Sequence, residues 1–136
     1  MGDRGNIKIQ GGRCFPHPVW FYGHWAGHRL KQTVAKALDR GRDRWGDDSY
    51  LARIIFDELT DGDRSNLSFG IDTSGGGDNE RPFVVVDMAK RTVHEEPDKR
   101  KGFGYIQLTG DSIKEPISFD DFIQQMKQEQ EETETA

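Results

Sequence analysis

Apolar and polar positions alternate near the start of the chain, as they do in β-strands. Ile7 and Ile9 alternate with polar neighbours and predict a short first strand. The run 19–22 is dense in β-branched and aromatic side chains and predicts a second strand. A Gly-Gly pair favours a turn between the two runs. We therefore predict a hairpin, with an irregular connection because two prolines lie within it.

Two amphipathic helices are predicted next, because apolar residues recur three or four positions apart. The stripe of the first helix consists of Leu30, Val34, Ala37 and Leu38. The stripe of the second consists of Leu51, Ile54, Ile55 and Leu59. Gly41 is placed to end the first helix. Asp47 and Asp48 put negative charge at the start of the second, where it suits the helix dipole.

Strand patterns return after the second helix. The predicted strands cover residues 67–71, 83–86, 92–94 and 103–108. The run 83–86 is continuously apolar, which predicts a central strand covered on both faces.

The last element is a helix with a recognisable beginning. Ser118 followed by Asp121 resembles a capping box, and Ile117 with Phe122 resembles a hydrophobic staple. The apolar face of this helix consists of Phe122, Ile123 and Met126.

The element order ββααβββ(β)α groups strands and helices in runs, which indicates an α+β fold. We expect one domain over residues 1–128, followed by an acidic, frayed tail over 129–136. The domain is expected to contain an antiparallel or mixed sheet of about five to six strands. Two central helices and a C-terminal helix would pack on one face of that sheet.

Composition narrows the class of protein. The chain has 136 residues, 33% of them hydrophobic and 32% charged, enough for one modest core. Its net charge of −5 argues against nucleic acid as the main partner. Residues 1–6 lack the apolar stretch of a signal peptide, and Cys14 is the single cysteine. We expect a cytoplasmic protein with no membrane span and no cofactor, and leave oligomer formation open.

Several segments together resemble a known group of proteins. They are MGDRGN (1–6), GHWAG (23–27), ALDRGRDRW (37–45), SYLARIIF (49–56) and FVVVD (83–87). In this order they are similar to small uncharacterised proteins carried by phages, plasmids, bacteria and archaea. The resemblance implies a shared fold and a mobile-element setting. The group has no established activity, so it implies no catalytic residues.

His24 and His28 are the candidate metal ligands. Their spacing would place two imidazoles on one face if both were helical, as zinc sites require. This supports a metal-dependent hydrolase or nuclease as an alternative function. The competing interpretation is that His24 and Trp25 build a turn between strand and helix, with ring N–H groups bonded to backbone carbonyls.

The segment 74–80 is the most glycine-dense part of the chain. Glycine allows backbone N–H groups to approach a phosphate closely, but this segment joins two predicted strands and no Walker lysine follows it. It is therefore either a flexible connection or a mobile rim over a ligand. Gly75, Gly76, Asp78 and Asn79 are its candidate binding residues.

A second alternative function is binding of single-stranded nucleic acid. Residues 101–106 match most of the RNP1 pattern, in which Phe103 and Tyr105 would stack on bases. The predicted element order differs from the βαββαβ order that this interpretation needs. Exposure of Trp20, Trp25 or Trp45 would instead mark a protein interface.

The absence of a nucleophile–base pair and of a cofactor fingerprint favours a non-enzymatic binding module. We expect its partner to be a host or cognate protein, or a small anionic ligand resembling a nucleotide. A phage or plasmid accessory factor would fit this description. The predicted site combines a histidine segment, an arginine cluster and the glycine-rich segment: His24, Trp25, His28, Arg40, Arg42, Arg44, Gly75, Gly76, Asp78 and Asn79.

Overall fold

A mixed sheet forms the centre of the fold. In the computed structural model, which describes residues 2–61, 67–100 and 105–135 (133–135 as backbone only), the sheet has six strands. They are β1 (Gly5–Gly11), β2 (Phe15–Gly23), β3 (Phe69–Asp72), β4 (Phe83–Asp87), β5 (Thr92–Glu96) and β6 (Ile117–Ser118). Their order across the sheet is β3-β2-β1-β4-β5-β6. Only β1 and β4 are parallel neighbours, which confirms the predicted α+β class.

Three α-helices accompany the sheet in the described part of the chain. They are α1 (Leu30–Arg40), α2 (Asp48–Leu59) and α3 (Phe119–Thr135). Gly41 ends α1 as predicted, and its N–H donates to the Ala37 carbonyl at 2.8 Å. A Cβ at this position would lie 3.0 Å from both that oxygen and Leu51 Cδ1. A larger residue here would therefore require these neighbours to shift slightly, although the φ of −96° is itself open to other residues.

The helices cover one face of the sheet. Side chains of one strand face join the helix stripes in a single apolar core. The strand members are Ile7, Ile9, Phe21, Val84, Val86 and Val93, and the helix members include Val34, Leu38, Leu51, Ile55, Phe122 and Ile123. The predicted stripes are thus buried as expected. The predicted central strand is also confirmed, because every residue of β4 is buried between β1 and β5.

Two boundaries differ from the sequence expectation by more than two residues. The predicted hairpin forms, but β2 continues through Pro16 and Pro18, and its pairing with β1 shifts between Ile9 and Gly11. The helix α3 continues to Thr135, so most of the expected frayed tail is helical.

The strand predicted over residues 103–108 does not form in its described part, 105–108. There, Ile106 makes one isolated bridge to Asp98, with both N–H···O distances at 3.0 Å. The sixth strand is β6 instead. It lies just before α3, where the sequence pattern predicted only a helix start, and its Ser118 hydroxyl accepts a hydrogen bond from the Asp121 N–H at 3.1 Å. The capping interaction is therefore confirmed.

Candidate functional site

His24 lies in the turn between β2 and α1. Its N–H donates to the Ser68 carbonyl at 2.8 Å, and its own carbonyl accepts the Asp3 N–H at 2.9 Å. Its ring Nδ1 is 2.8 Å from the Tyr22 hydroxyl, and the ring packs edge-on against Trp25 at 4.6 Å between centroids. These contacts hold the turn together, with a tyrosine hydroxyl in place of the expected carbonyl.

His28 belongs to a different network, centred on Asp3. One Asp3 carboxylate oxygen accepts the His28 N–H at 2.9 Å and lies 2.8 Å from His28 Nδ1. The other accepts a hydrogen bond from Arg81 Nε at 3.0 Å. Burial by itself would raise the pKa of Asp3, but the hydrogen bonds from Arg81 and His28 outweigh it and lower that pKa. The carboxylate thus ties the N-terminal segment to the turn before α1 and to the segment before β4.

The metal alternative gains no support from this geometry. Within residues 2–61, 67–100 and 105–135, no group of three or more His, Cys, Asp or Glu side chains could hold a metal ion. The rings of His24 and His28 bond Tyr22 and Asp3 instead.

The arginine cluster lies away from the histidines, at the far end of α1. A helix rises about 1.5 Å per residue, so the ends of α1 are roughly 15 Å apart. Arg40 pairs with Glu58 at 3.4 Å, and Arg42 pairs with Asp39 and Asp120. Arg44 stacks over the Tyr50 ring at 4.3 Å. The structure therefore does not bring the predicted arginines and His24–His28 onto one rim for a small ligand.

The glycine-rich segment crosses the sheet face opposite the helices, and we call residues 74–80 the glycine strap. It must cross β2 and β1, because it connects the edge strand β3 to β4. The Asn6 side chain holds it from below, accepting the Gly77 N–H at 3.0 Å and donating to the Asp78 carbonyl at 3.1 Å. Asn79 donates to buried Asp98 at 3.1 Å. The four candidate residues of this segment are therefore part of an ordered cover over the sheet.

A cleft of about 460 Å³ opens beside the start of α1, within the usual range for small-molecule sites. Its charged lining residues are Lys31, Arg81, Glu80, Glu95, Asp111 and Glu129, with His28 beside them. Lys31 Nζ lies 3.5 Å from buried Glu95, and Arg81 pairs with Asp3. The cations are thus already paired and outnumbered by carboxylates, which does not favour an anion here. The sequence pattern did not indicate this cleft, because its residues come from distant segments.

The nucleic-acid alternative rests on Phe103 and Tyr105. Phe103 lies outside the described residues. Tyr105 is exposed, but it lies beyond the regular strands. A stacking platform on a strand, as in RNP1 motifs, is therefore not seen at Tyr105.

The tryptophans differ in exposure. Trp45 packs edge-on against Phe119 and donates its indole N–H to the Leu38 carbonyl at 2.9 Å, so it packs against the core. Trp20 is partly covered, beneath the glycine strap. Trp25 is 54% exposed. Of the three tryptophans, only Trp25 is exposed enough to mark an interface.

Exposed apolar side chains lie on β3 and in the two segments that meet at its start, where the His24 N–H donates to the Ser68 carbonyl. Ile71 on β3 is 62% exposed, and Leu67 just before β3 is 92% exposed. In the described residues these are three of five exposed large apolar side chains, the others being Tyr50 and Tyr105. We call Trp25, Leu67 and Ile71 the β3 edge patch. The exposure of Ile71 was not predicted, because its strand pattern equally fits a covered strand.

Comparisons of the chain with models of protein families, with curated proteins and with solved structures gave no match. Within the described residues, no helix combines the length and apolar character needed to cross a bilayer.

Proposed function

We propose that the protein is a non-enzymatic accessory binding module, and that it takes an extended segment of a partner protein along β3. The observation that carries this proposal is the coincidence of an edge strand with the β3 edge patch. The resemblance to phage and plasmid proteins makes a host protein the first candidate for the partner.

The backbone of an edge strand supports this kind of recognition. β3 pairs with β2 on one side, and no other described strand lies along its outer side. Outward-pointing N–H and C=O groups of such a strand can continue the ladder with an added strand. Backbone pairing would supply affinity, and the side-chain contacts would supply specificity.

The exposed side chains support it further. Natural edge strands are usually guarded by lysine, proline or a covering helix, because an open apolar edge promotes aggregation. Residues 69–72 of β3 contain neither lysine nor proline, and Ile71 is exposed in the middle of the strand. Exposed tryptophans are also enriched at the energetic centres of interfaces. β3 is short and ends at the charged Asp72, so Ile71 is the position within it that a partner strand would cover.

The proposal is tested by affinity purification from native cells with quantitative mass spectrometry. Ile71→Lys places on β3 a charged side chain of the kind that prevents pairing at sheet edges. Trp25→Ala removes the exposed indole. Tyr50→Ala is the matched control, because Tyr50 is similarly exposed but lies in the first turn of α2, outside the β3 edge patch. A partner should be enriched by wild type and by Tyr50→Ala, and depleted at least tenfold by Ile71→Lys, the loss typical of a central interface residue.

The same proteins recovered equally with Ile71→Lys would contradict the proposal. Recovery of this chain alone, lost in Ile71→Lys, would identify the added strand as a second copy. Analytical ultracentrifugation of the purified protein separates that outcome from a heterologous partner.

A further inference from the structure

The sheet face beneath the glycine strap contains a buried hydrogen-bond donor without an acceptor. Trp20 Nε1 is buried and has no hydrogen-bond partner among the residues that the structure describes. A Cβ on Gly76 would lie 3.1 Å from Trp20 Cδ1, the carbon bonded to that nitrogen, so the strap covers the N–H edge of the indole. Burying an unsatisfied donor opposes closure of the strap.

Arg100 presents two further donors at the same place. Its two terminal nitrogens donate to the Gly76 and Gly77 carbonyls, at 2.7 and 2.8 Å. Its Nε and one terminal nitrogen also bind the buried carboxylate of Asp98, which fixes the orientation of the guanidinium. Two adjacent oxygens facing a guanidinium fork have the arrangement in which arginine binds phosphate or carboxylate.

The strap itself is held almost wholly by polar contacts. Residues 74–80 include no apolar side chain, so strap closure buries little hydrophobic surface of its own. Gly75 and Gly76 have φ of +122° and +98°, values that other residues rarely adopt. Arg4 pairs with Asp78 and Glu80 at 3.1 and 3.0 Å. A competing anion could therefore replace the contacts that the strap makes.

Strap opening would also change the charge of this face. Asp78 and Glu80 would leave with the strap, and Arg4 would lose both carboxylate partners. Lys8 Nζ lies 5.7 Å from the Trp20 ring centroid and pairs with Glu96 at 3.1 Å. Arg4, Lys8 and Arg100 would then remain on this face with Glu96, Asp98 and Asp72, the last of which lies opposite Trp20 on β3. Opening would therefore remove two carboxylates and make the face less negative.

We propose that this face is a second binding site, for a small oxyanion such as a phosphate monoester. Arg100 and the Trp20 N–H bind its oxygens. While the strap is closed, the Gly76 and Gly77 carbonyls occupy the acceptor positions of Arg100, and the Trp20 N–H is left without an acceptor. This site lies on the sheet face opposite the helices and is separate from the β3 edge patch. Ile71→Lys should leave it unchanged, so the two proposals can fail independently.

Isothermal titration with adenosine 5′-monophosphate tests the site, with inorganic phosphate and adenosine as comparison probes. Gly76→Ala strains the closed strap, because alanine disfavours φ of +98° and its Cβ meets Trp20. We expect the monophosphate to bind this variant about fivefold more tightly than wild type. Gly70→Ala is the control, since a Cβ there meets nothing within 4 Å, and it should bind like wild type.

Arg100→Lys separates a ligand-binding arginine from one that only holds the strap. Lysine keeps the charge but loses the fork, so affinity should fall about tenfold if Arg100 binds the oxyanion. If Arg100 only fastens the strap, the variant should instead bind more tightly, as Gly76→Ala does. Trp20→Phe keeps an aromatic ring and removes the N–H, and should weaken binding.

Hydrogen exchange of the wild-type protein provides a test that needs no variant. The Gly77 N–H donates to Asn6 Oδ1 at 3.0 Å while the strap is closed. Saturating monophosphate should speed its exchange, because the ligand displaces the strap. Inorganic phosphate should compete with the monophosphate, and adenosine should not bind. Absence of monophosphate binding to Gly76→Ala, equal binding of adenosine, or unchanged Gly77 exchange at saturation would each overturn the proposal.

Discussion

The two edges of the sheet are built differently. β6 has only two residues and leads directly into α3, whose Phe119 and Phe122 are buried in the core. β3 has four residues, and Ile71 within it is largely exposed. One edge is therefore short and continues into a helix whose side chains are buried in the core, whereas the other leaves an apolar side chain exposed.

This difference separates stability from binding. A sheet edge whose side chains are buried contributes to the free energy of unfolding, because those side chains are removed from water on folding. An open apolar edge contributes little to folding and carries an aggregation risk, which a binding partner would remove. Substitutions at the β6 edge should thus change the free energy of unfolding, and those at the β3 edge should mainly change binding.

The largest effect is expected where α3, which follows β6, packs into the core. Phe122 is fully buried, so Phe122→Ala should lower the free energy of unfolding by about 3–5 kcal/mol. Gln124→Ala is the control, because Gln124 is exposed on the same helix and should change it by less than about 0.5 kcal/mol. Urea denaturation measures both. A loss below about 1 kcal/mol in Phe122→Ala would mean that α3 contributes little to the core.

A smaller effect is expected at the start of α3. The Ser118 hydroxyl accepts the Asp121 N–H, so Ser118→Ala should cost about 1 kcal/mol in the free energy of unfolding. Ser118→Asp supplies another good N-cap and should retain most of the stability. Equal losses in the two variants, measured by urea denaturation, would exclude capping as the cause.

Asp72, at the end of β3, should contribute to the free energy of unfolding in a pH-dependent way. The Asp72 carboxylate accepts hydrogen bonds from the Ser74 hydroxyl and N–H at 2.7 and 2.8 Å, and these bonds lower the pKa of Asp72. Because the pKa of Asp72 is lower in the folded state, its carboxylate adds to the free energy of unfolding above the unfolded-state pKa near 3.9. This stabilisation is lost as the pH falls through the folded-state pKa. Asp72→Ala should therefore cost up to about 1 kcal/mol near neutral pH, and less below about pH 4. Urea denaturation at a series of pH values measures this. A difference in urea midpoint between wild type and Asp72→Ala that stays the same from neutral pH to below about pH 4 would show that the Asp72 carboxylate is not its cause.

The smallest effect on folding is expected in the middle of β3. Ile71 is 62% exposed, so Ile71→Lys should change the free energy of unfolding by less than about 0.5 kcal/mol. The same variant should no longer recover the partner in affinity purification. Destabilisation beyond about 1 kcal/mol would show that Ile71 supports the fold, which would weaken its use as a binding probe.

Periodicity predicted the helix-covered face well, because repeated burial against one core leaves a pattern in each segment. The stripes of α1 and α2 and the apolar run of β4 are examples. Residues 105–108 show the limit of this reasoning. Their apolar–polar alternation resembles a strand, but only Ile106 pairs, through one bridge to Asp98.

The polar face could not be predicted in the same way. Asn6 and Gly77 are 71 positions apart, and Arg100 and Gly76 are 24 apart. Such bonds depend on strand order and on individual side-chain reach, which leave no periodic signal. Glycine content alone indicates the strap as a candidate segment. The position of Trp20 and Arg100 beside it depends on strand order, so the sequence did not indicate it.

Site-specific photo-crosslinking in native cells tests the proposed use of the β3 edge most directly. A photoreactive amino acid would replace Ile71 in one variant and Tyr50 in another, because both positions are exposed. The account predicts a discrete crosslinked product from position 71 that is absent from position 50. Identical products from both positions, or none from position 71, would contradict the proposal that β3 receives a partner strand.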